Sequence, residues 1–323
     1  MERLIIEIAE ENDAEDIAKL SYQVGKMHDD ALPEYFKPTG ENEHLRIVMD
    51  MLKESKTIIF KAVYEEKICG FLMMDIKERI DTFYARYGII TNFGVDAFSQ
   101  CQGIGTALVK EAELYAQKVG LKALDADVFA FNTRAMNFFE KKGFIAIDVY
   151  MRKFLENKSM VDDVNAVKVL EAEDKDVKDI LQIYNQMRKI HELDVLPFFK
   201  TKTDEECEQT IKDILQNKSG KNLINFKAVV GNKITGFLFL IIQDNESEGL
   251  TYEKKGYVGK VVVDEHYRKM GIGTKLFKTA ENYLLKNGIK VLDLDVSAFN
   301  QNAFDFYKNL GFVVIDTYMR KVL

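Results

Sequence analysis

One stretch of this chain is written twice. Val95-Asp96 is followed in order by Gly103-Ile104-Gly105-Thr106, Leu124-Asp125-Ala126-Asp127-Val128, Ala130-Phe131-Asn132, Gly143-Phe144 and Tyr150-Met151-Arg152-Lys153. Exactly the same order returns 168 positions later, without a gap, as Val263-Asp264, Gly271-Ile272-Gly273-Thr274, Leu292-Asp293-Leu294-Asp295-Val296, Ala298-Phe299-Asn300, Gly311-Phe312 and Tyr318-Met319-Arg320-Lys321. About half of the aligned positions are identical. Upstream the match continues with small shifts of register: Phe60-Lys61-Ala62-Val63 and Gly70-Phe71-Leu72 answer to Phe226-Lys227-Ala228-Val229 and Gly236-Phe237-Leu238. His28 precedes a Leu32-Pro33 pair as His191 precedes Leu196-Pro197. A unit this long is domain-sized, which excludes a solenoid of short repeats and predicts a duplicated globular domain. The chain of 323 residues accommodates two such domains, 1–155 and 166–323, with 156–165 as a linker that carries no strong pattern.

Each half reads as strand, helices, hairpin, strand, helix, strand, helix and closing strands. Ile5 to Ala9 alternates and meets Asn12-Asp13, a helix-capping signal, before the amphipathic series Ile17, Leu20 and Val24. Thr203-Asp204-Glu205-Glu206 is a capping box opening a second helix in the C-terminal half. Ile58 to Val63 and Ile68 to Ile76 form a hairpin around Glu65-Glu66-Lys67. Strands then alternate with helices, which predicts a mixed, largely covered sheet of α/β (α+β) class.

Composition narrows the functions. Hydrophobic residues make up 47% of the chain and Pro only 3 residues, enough apolar material for a core and too little punctuation for disorder. With 45 Lys+Arg against 52 Asp+Glu the formal charge is −7, which argues against sequence-independent binding to nucleic acid or to an anionic membrane. A cationic amine substrate fits that sign. No stretch reaches the ~18 apolar residues of a membrane span, and the alternating start leaves no room for a signal peptide, so the expected compartment is the cytoplasm. Cys69, Cys101 and Cys207 are odd in number and widely spaced, so neither a disulfide framework nor a metal site is expected.

Two clusters carry chemistry. In Arg268-Lys269-Met270-Gly271-Ile272-Gly273 the glycines fall at a strand-to-helix turn, where backbone NH groups and the positive end of the helix dipole attract an anion such as a phosphate. Arg268 and Lys269 reinforce it. Gln100-Cys101-Gln102-Gly103-Ile104-Gly105 repeats the glycines and loses the cations. The second cluster is the last helix of the C-terminal half, where Asn300 and Tyr307 share a face roughly 10 Å apart along the axis. Asn300 reads equally well as a helix N-cap, Phe306 and Ala303 as core contacts, and Gly311 as a C-cap with positive φ. In the N-terminal half the positions are Asn132, Ala135, Phe138 and Phe139, so the phenol is absent.

The order of these motifs, a strand ending in Val-Asp, then R/QxxGxG at a helix start, then NxxAxxxY before Gly-Phe, resembles the GNAT superfamily of acetyl-CoA-dependent N-acetyltransferases, and it does so twice. The resemblance implies two tandem domains, each a mixed, splayed central sheet flanked by helices. It implies that the backbone from Arg268 through Ile272 to Thr274, and from Gln100 through Ile104 to Thr106, holds the pyrophosphate of acetyl-CoA. The main chain of Val261 and Val263, and of Phe93 and Val95, would pair with the pantetheine arm, and Asn300 and Asn132 would touch it. Tyr307 stands where the family places the acid that protonates the departing thiolate. His28 and His191 stand near the substrate entrance. Many members carry a Glu four residues before the Val of the Val-Asp pair; Thr91 and Gly259 stand there instead, which leaves the base unassigned. The expected function is acetyl transfer to a primary amine of a small molecule or peptide, with no metal. The C-terminal half is expected to be the main catalyst and the N-terminal half, with Phe139, to be degenerate. A non-catalytic CoA-binding sensor or interaction module is the rival. Which amine is used, and the oligomeric state, are left open.

Overall fold

The computed structural model describes residues 4–53, 56–79, 84–100, 102–156, 167–194, 202–217, 222–245 and 249–323, without the side chains of 190–194. Packing divides the chain into two compact units: residues 1–147 with 247–251 and 316–323, and residues 148–246 with 252–315.

The first unit opens with β1 (Ile5–Ile8), α1 (Ala14–Ala31), α2 (Glu41–Lys53) and the hairpin β2 (Thr57–Tyr64) and β3 (Lys67–Glu78). The hairpin turns on Glu65 and Glu66, both at positive φ, the twist a two-residue turn demands. Strand β4 (Arg86–Val95), helix α3 (Ile104–Lys118), strand β5 (Ala123–Phe129) and helix α4 (Thr133–Lys141) follow. β1 to β4 are mutually antiparallel, and β5 lies parallel to β4, the crossover being α3. Alternation along β3 assigns the two faces: Leu72 and Met74 pack with Leu108 and Ala112 of α3, while Phe71 and Met73 pack with Ile17 of α1 and Val48 of α2. The Asn12-Asp13 signal lies in a single 3-10 turn before α1, where the Asp13 carboxylate accepts from the Glu10 amide at 2.7 Å instead of capping α1 itself.

The second unit repeats the plan with β7 (Val167–Glu171), α5 (Val177–Asp194), α6 (Asp204–Leu215), β8 (Asn222–Val230), β9 (Lys233–Asp244), β10 (Lys254–Val263), α7 (Ile272–Lys286), β11 (Val291–Ser297) and α8 (Gln301–Asn309). The capping box at Thr203 forms with both of its hydrogen bonds, to Glu206 and back. None of the described helices is long and apolar enough to cross a membrane.

The units depart from a linear division at 155 and 166 in two places. The segment 249–251 counts with the first unit. The closing strands are exchanged: β6 (Ile145–Phe154), which follows α4, pairs with β11 of the second unit, and β12 (Val313–Val322), which follows α8, pairs with β5 of the first. Each strand brings a matched anchor. Arg152 donates through Nε and Nη2 to the two carboxylate oxygens of Asp293, at 2.6 Å each, with both side chains fully buried. Arg320 makes the same fork with Asp125 at 2.7 Å. Tyr150 and Tyr318 donate to the same two carboxylates, and Lys153 and Lys321 reach Glu281 at 2.5 Å and Glu113 at 2.7 Å. The repeated Tyr-Met-Arg-Lys therefore fits either slot, because both slots present the same aspartate. The proposed linker lies, apart from Glu156, outside the described residues.

Candidate active site

In each unit the two parallel strands pair over three residues and then part. Gly88 to Ile90 pair with Leu124 to Ala126, and Gly256 to Val258 pair with Leu292 to Leu294. Beyond Ile90 and Val258 the far ends of β4 and β10 have no partner in β5 and β11. At the fork each strand also bulges: the register slips between Ile90 and Asn92, and between Val258 and Lys260, leaving Thr91 and Gly259 as the extra residues. A bulge takes backbone groups out of the ladder. The positions that lack the expected Glu are thus backbone features of the fork.

β4 and β10 end in the glycine turns. Asp96 and Asp264 cap them, accepting from the amides of Phe98 and His266 at 3.0 Å. Burial pushes the Asp264 carboxyl up, but the His266 amide and the Lys233 ammonium outweigh it and hold the group at about 2. Gly103 (φ 82°) and Gly271 (φ 76°) are left-handed, the conformation that turns the chain into α3 and α7 with the first amides of each helix pointing outward. Lys269 is also left-handed (φ 62°). Gly105 and Gly273 allow close packing, since a Cβ would stand 3.0 Å from Phe93 or Phe306. Arg268 donates from Nε to the Val263 carbonyl at 3.3 Å, and Gln100 donates from Nε2 to the Val95 carbonyl at 3.2 Å, so both side chains brace the same strand end. The missing cation is supplied from elsewhere: the Gln100 carbonyl accepts from Arg134 at the start of α4. Arg134 is a residue that sequence reasoning missed, because the repeat has Asn302 in its place.

Asn132 and Asn300 are N-caps. Their Oδ1 atoms accept from the amides of Ala135 and Ala303 at 3.0 and 3.1 Å, so the capping bond uses the oxygen of each side chain and not its NH2 group. About two helical turns deeper lie Phe139 and Tyr307, 4% and 8% exposed. Tyr307 packs edge-on to Phe277 and tilted against Phe306 and Phe312, and Phe139 packs against Phe93, Phe138 and Phe144. The phenol makes no hydrogen bond among the described residues, and burial pushes it up to about 12. It therefore stays protonated across the neutral range and can donate. Gly143 and Gly311 follow at φ 87° and 91°, the expected C-caps.

In the first unit these parts surround a cavity of about 850 Å³. Phe93, Val95, Gln100, Gly103 to Thr106, Asn132 and Phe139 all line it, as do Thr91, Arg134 and His28. Gln102 does not, and Cys101 and the His191 side chain lie outside the described residues. His28 sits at the end of α1 against Phe129, their ring centroids 4.7 Å apart. Its neighbour Asp29 accepts from the Thr39 amide instead of pairing with it. In the second unit Val261 and Val263 end β10, and Arg268 to Thr274 form the turn into α7.

Comparisons with known proteins agree with this geometry. A tyramine N-feruloyltransferase of Nicotiana tabacum is 29% identical over 136 residues, 39% of this chain and 58% of that protein. An N-alpha-acetyltransferase 30 of Homo sapiens is 31% identical over 88 residues, 27% of this chain and 23% of that protein. The chain thus matches 58% of the length of the first of these relatives and 23% of the second. The crystal structure of a GCN5-related N-acetyltransferase from Sphaerobacter thermophilus shares the fold over 99% of this chain and 95% of its own, with TM-score 0.57 at 18% identity. The model of the acetyltransferase (GNAT) family matches residues 23–144 and again 187–312, more than half of the chain, and to that family the chain belongs.

Proposed function

We propose that this protein moves the acetyl group of acetyl-CoA to a primary amine of a small molecule or peptide by direct attack on the thioester, with the C-terminal unit as the main catalyst. The observation that carries the reading is the fork itself: a bulged, unpartnered strand end leading into a left-handed glycine turn at a helix N-terminus, with a protonated phenol buried behind it. The donor set suits the ligand. The amides of 268–274 with Arg268, and those of 102–106 with Arg134, match a pyrophosphate, and the open strand edges match an extended amide-bearing arm. Backbone NH groups freed at the bulge can polarise the thioester carbonyl as charge gathers on its oxygen. Tyr307 can protonate the sulfur as it leaves. The names of the two relatives, a tyramine N-feruloyltransferase and an N-alpha-acetyltransferase, support an amine acceptor.

Phe139 can do no such thing, so the N-terminal unit turns over more slowly. The same residue favours the second reading, a CoA-binding unit without catalysis. Thiol release from acetyl-CoA across a broad panel of amines separates them: silence with every amine, alongside measurable CoA binding, would establish the sensor. In the active case Tyr307→Phe lowers kcat by about one to two orders of magnitude, with acetyl-CoA affinity nearly unchanged.

A further inference from the structure

His28 is a titratable group that the scheme above leaves idle. It lines the cavity of the first unit beside Met27 and Phe129. Its ring contacts Phe129 at 4.7 Å, Phe131 at 5.6 Å and Phe36 at 6.2 Å, and Tyr35 extends the group 4.6 Å from Phe36. All five rings are only half-buried, unlike the closed core rings of Phe60 and Phe71, so the cluster keeps uncovered ring surface. It is also held in place. The Lys37 amide donates to the Gly249 carbonyl at 2.7 Å, the Thr251 amide donates to the Tyr35 carbonyl at 3.2 Å, and Phe36 bridges Leu250. His28 itself makes no side-chain hydrogen bond among the described residues. Burial holds its imidazole below the usual 6.5, against a smaller opposite pull from Asp29, so at neutral pH it carries a lone pair and no charge. Asp29 on its own helix acts on its charge, while Asp127 on β5, Asp316 on β12 and Arg134 on α4 line the same cavity, and the Tyr35 phenol lies beyond Phe36.

We propose that His28 and Phe129, which line the cavity with the other rings packed behind them, form the acceptor pocket of the N-terminal unit, that it takes a primary amine carried on a flat apolar ring, and that His28 is the catalytic base for that amine. The inference rests on the acyl-transfer reading above. Rings offset or edge-on at 4.5 to 7 Å attract a further ring and bury it, which a polyamine chain would not exploit. Asp127 and Asp316 draw the ammonium form toward the mouth. His28 then takes one proton from the ammonium, and the freed nitrogen lone pair forms a bond to the thioester carbonyl carbon. The carbonyl π pair moves to oxygen and returns as the C–S bond breaks with its electron pair on sulfur. The second nitrogen proton passes to that thiolate, so amide and free thiol leave, and His28 releases its proton to water.

The chain has 4 His, so ring signals of the full-length protein labelled at histidine can be followed one by one, with His28→Gln assigning the signal. With CoA present to fill the donor site without turnover, the His28 signal should titrate below pH 6.5 and shift on addition of 2-phenylethylamine but not of putrescine. In chains carrying Tyr307→Phe, which quiets the other unit, His28→Gln should slow acetylation of 2-phenylethylamine about ten- to a hundredfold at pH 7, and the loss should close at alkaline pH where the free amine is abundant. Phe129→Leu should weaken 2-phenylethylamine several-fold relative to butylamine. A His28 signal unmoved by 2-phenylethylamine, an equal shift with putrescine, or an unaltered pH profile in His28→Gln would overturn the pocket assignment while acetyl transfer by the chain stood. Absence of thiol release with any amine would overturn the transfer reading and this inference with it.

Discussion

Phe139 and Tyr307 occupy the same place in two copies of one fold and differ by a single oxygen atom. Each lies about two turns below an Asn cap, beneath a fork of parallel strands, among aromatic rings of the same helix and of the residue just before the strand that follows. The difference teaches that packing does not require the hydroxyl, since the N-terminal unit fills the site without it. The C-terminal unit adds a hydroxyl with no hydrogen-bond partner among the described residues, an oxygen that the packing does not call for and that acid chemistry would use. The phosphate turns make the opposite point. There the copies differ more in sequence, Gln100 against Arg268, yet Arg134 returns a cation to the first turn, so the charge of the turn is kept where the phenol is not.

Several measurements would break or sharpen that contrast. The largest effect is expected at the strand anchors: Arg320→Ala takes its guanidinium from the buried Asp125 and should lose about 3 to 5 kcal/mol in urea unfolding, whereas Arg152→Ala leaves Asp293 with Lys255 at 3.1 Å and should lose less. Equal losses would show that Lys255 does not compensate for the missing guanidinium. Next, Tyr307→Phe should cost about ten- to a hundredfold in kcat with amines taken by the C-terminal unit, whereas Phe139→Tyr should raise turnover by the N-terminal unit; no gain would mean that the phenol alone does not separate the copies. Smaller again, Arg134→Ala and Arg268→Ala should each weaken CoA at their own turn by about tenfold, read by calorimetry, as expected for loss of one charged contact to phosphate. The smallest concerns Asp264. Its carboxyl is depressed to about 2, so its contribution is present above pH ~4 and lost as pH falls toward 2. Lys233→Met should shift the acid-unfolding midpoint of the second unit upward by a few tenths of a pH unit.

Much of this was legible beforehand because it is local. A glycine at positive φ before a helix, a Thr-x-x-Glu capping box and two-residue alternation are short-range patterns, and they placed the turns at Gly103 and Gly271, the start of α6 and the β2–β3 hairpin. The Asn12-Asp13 signal misled by one turn, since a 3-10 turn with its own reciprocal hydrogen bonds competes for the same acidic residues. Arg134 carried no signal, having no counterpart in the repeat. The aromatic wall joins positions 28, 35, 36, 129 and 131 with a clamp from 249–251, a grouping no window of sequence can display.

By itself the sequence determined that one GNAT-type fold occurs twice and which copy keeps a phenol. Only the tertiary structure decided that the closing strands change places. The physical reason is near-symmetry: Tyr150-Met151-Arg152-Lys153 and Tyr318-Met319-Arg320-Lys321 are the same anchor and Asp125 and Asp293 matching sockets that differ by Lys255, 3.1 Å from Asp293, so no short window of sequence distinguishes the pairings. The choice falls to long-range packing and to the path of the chain between α4 and β6 and between α8 and β12.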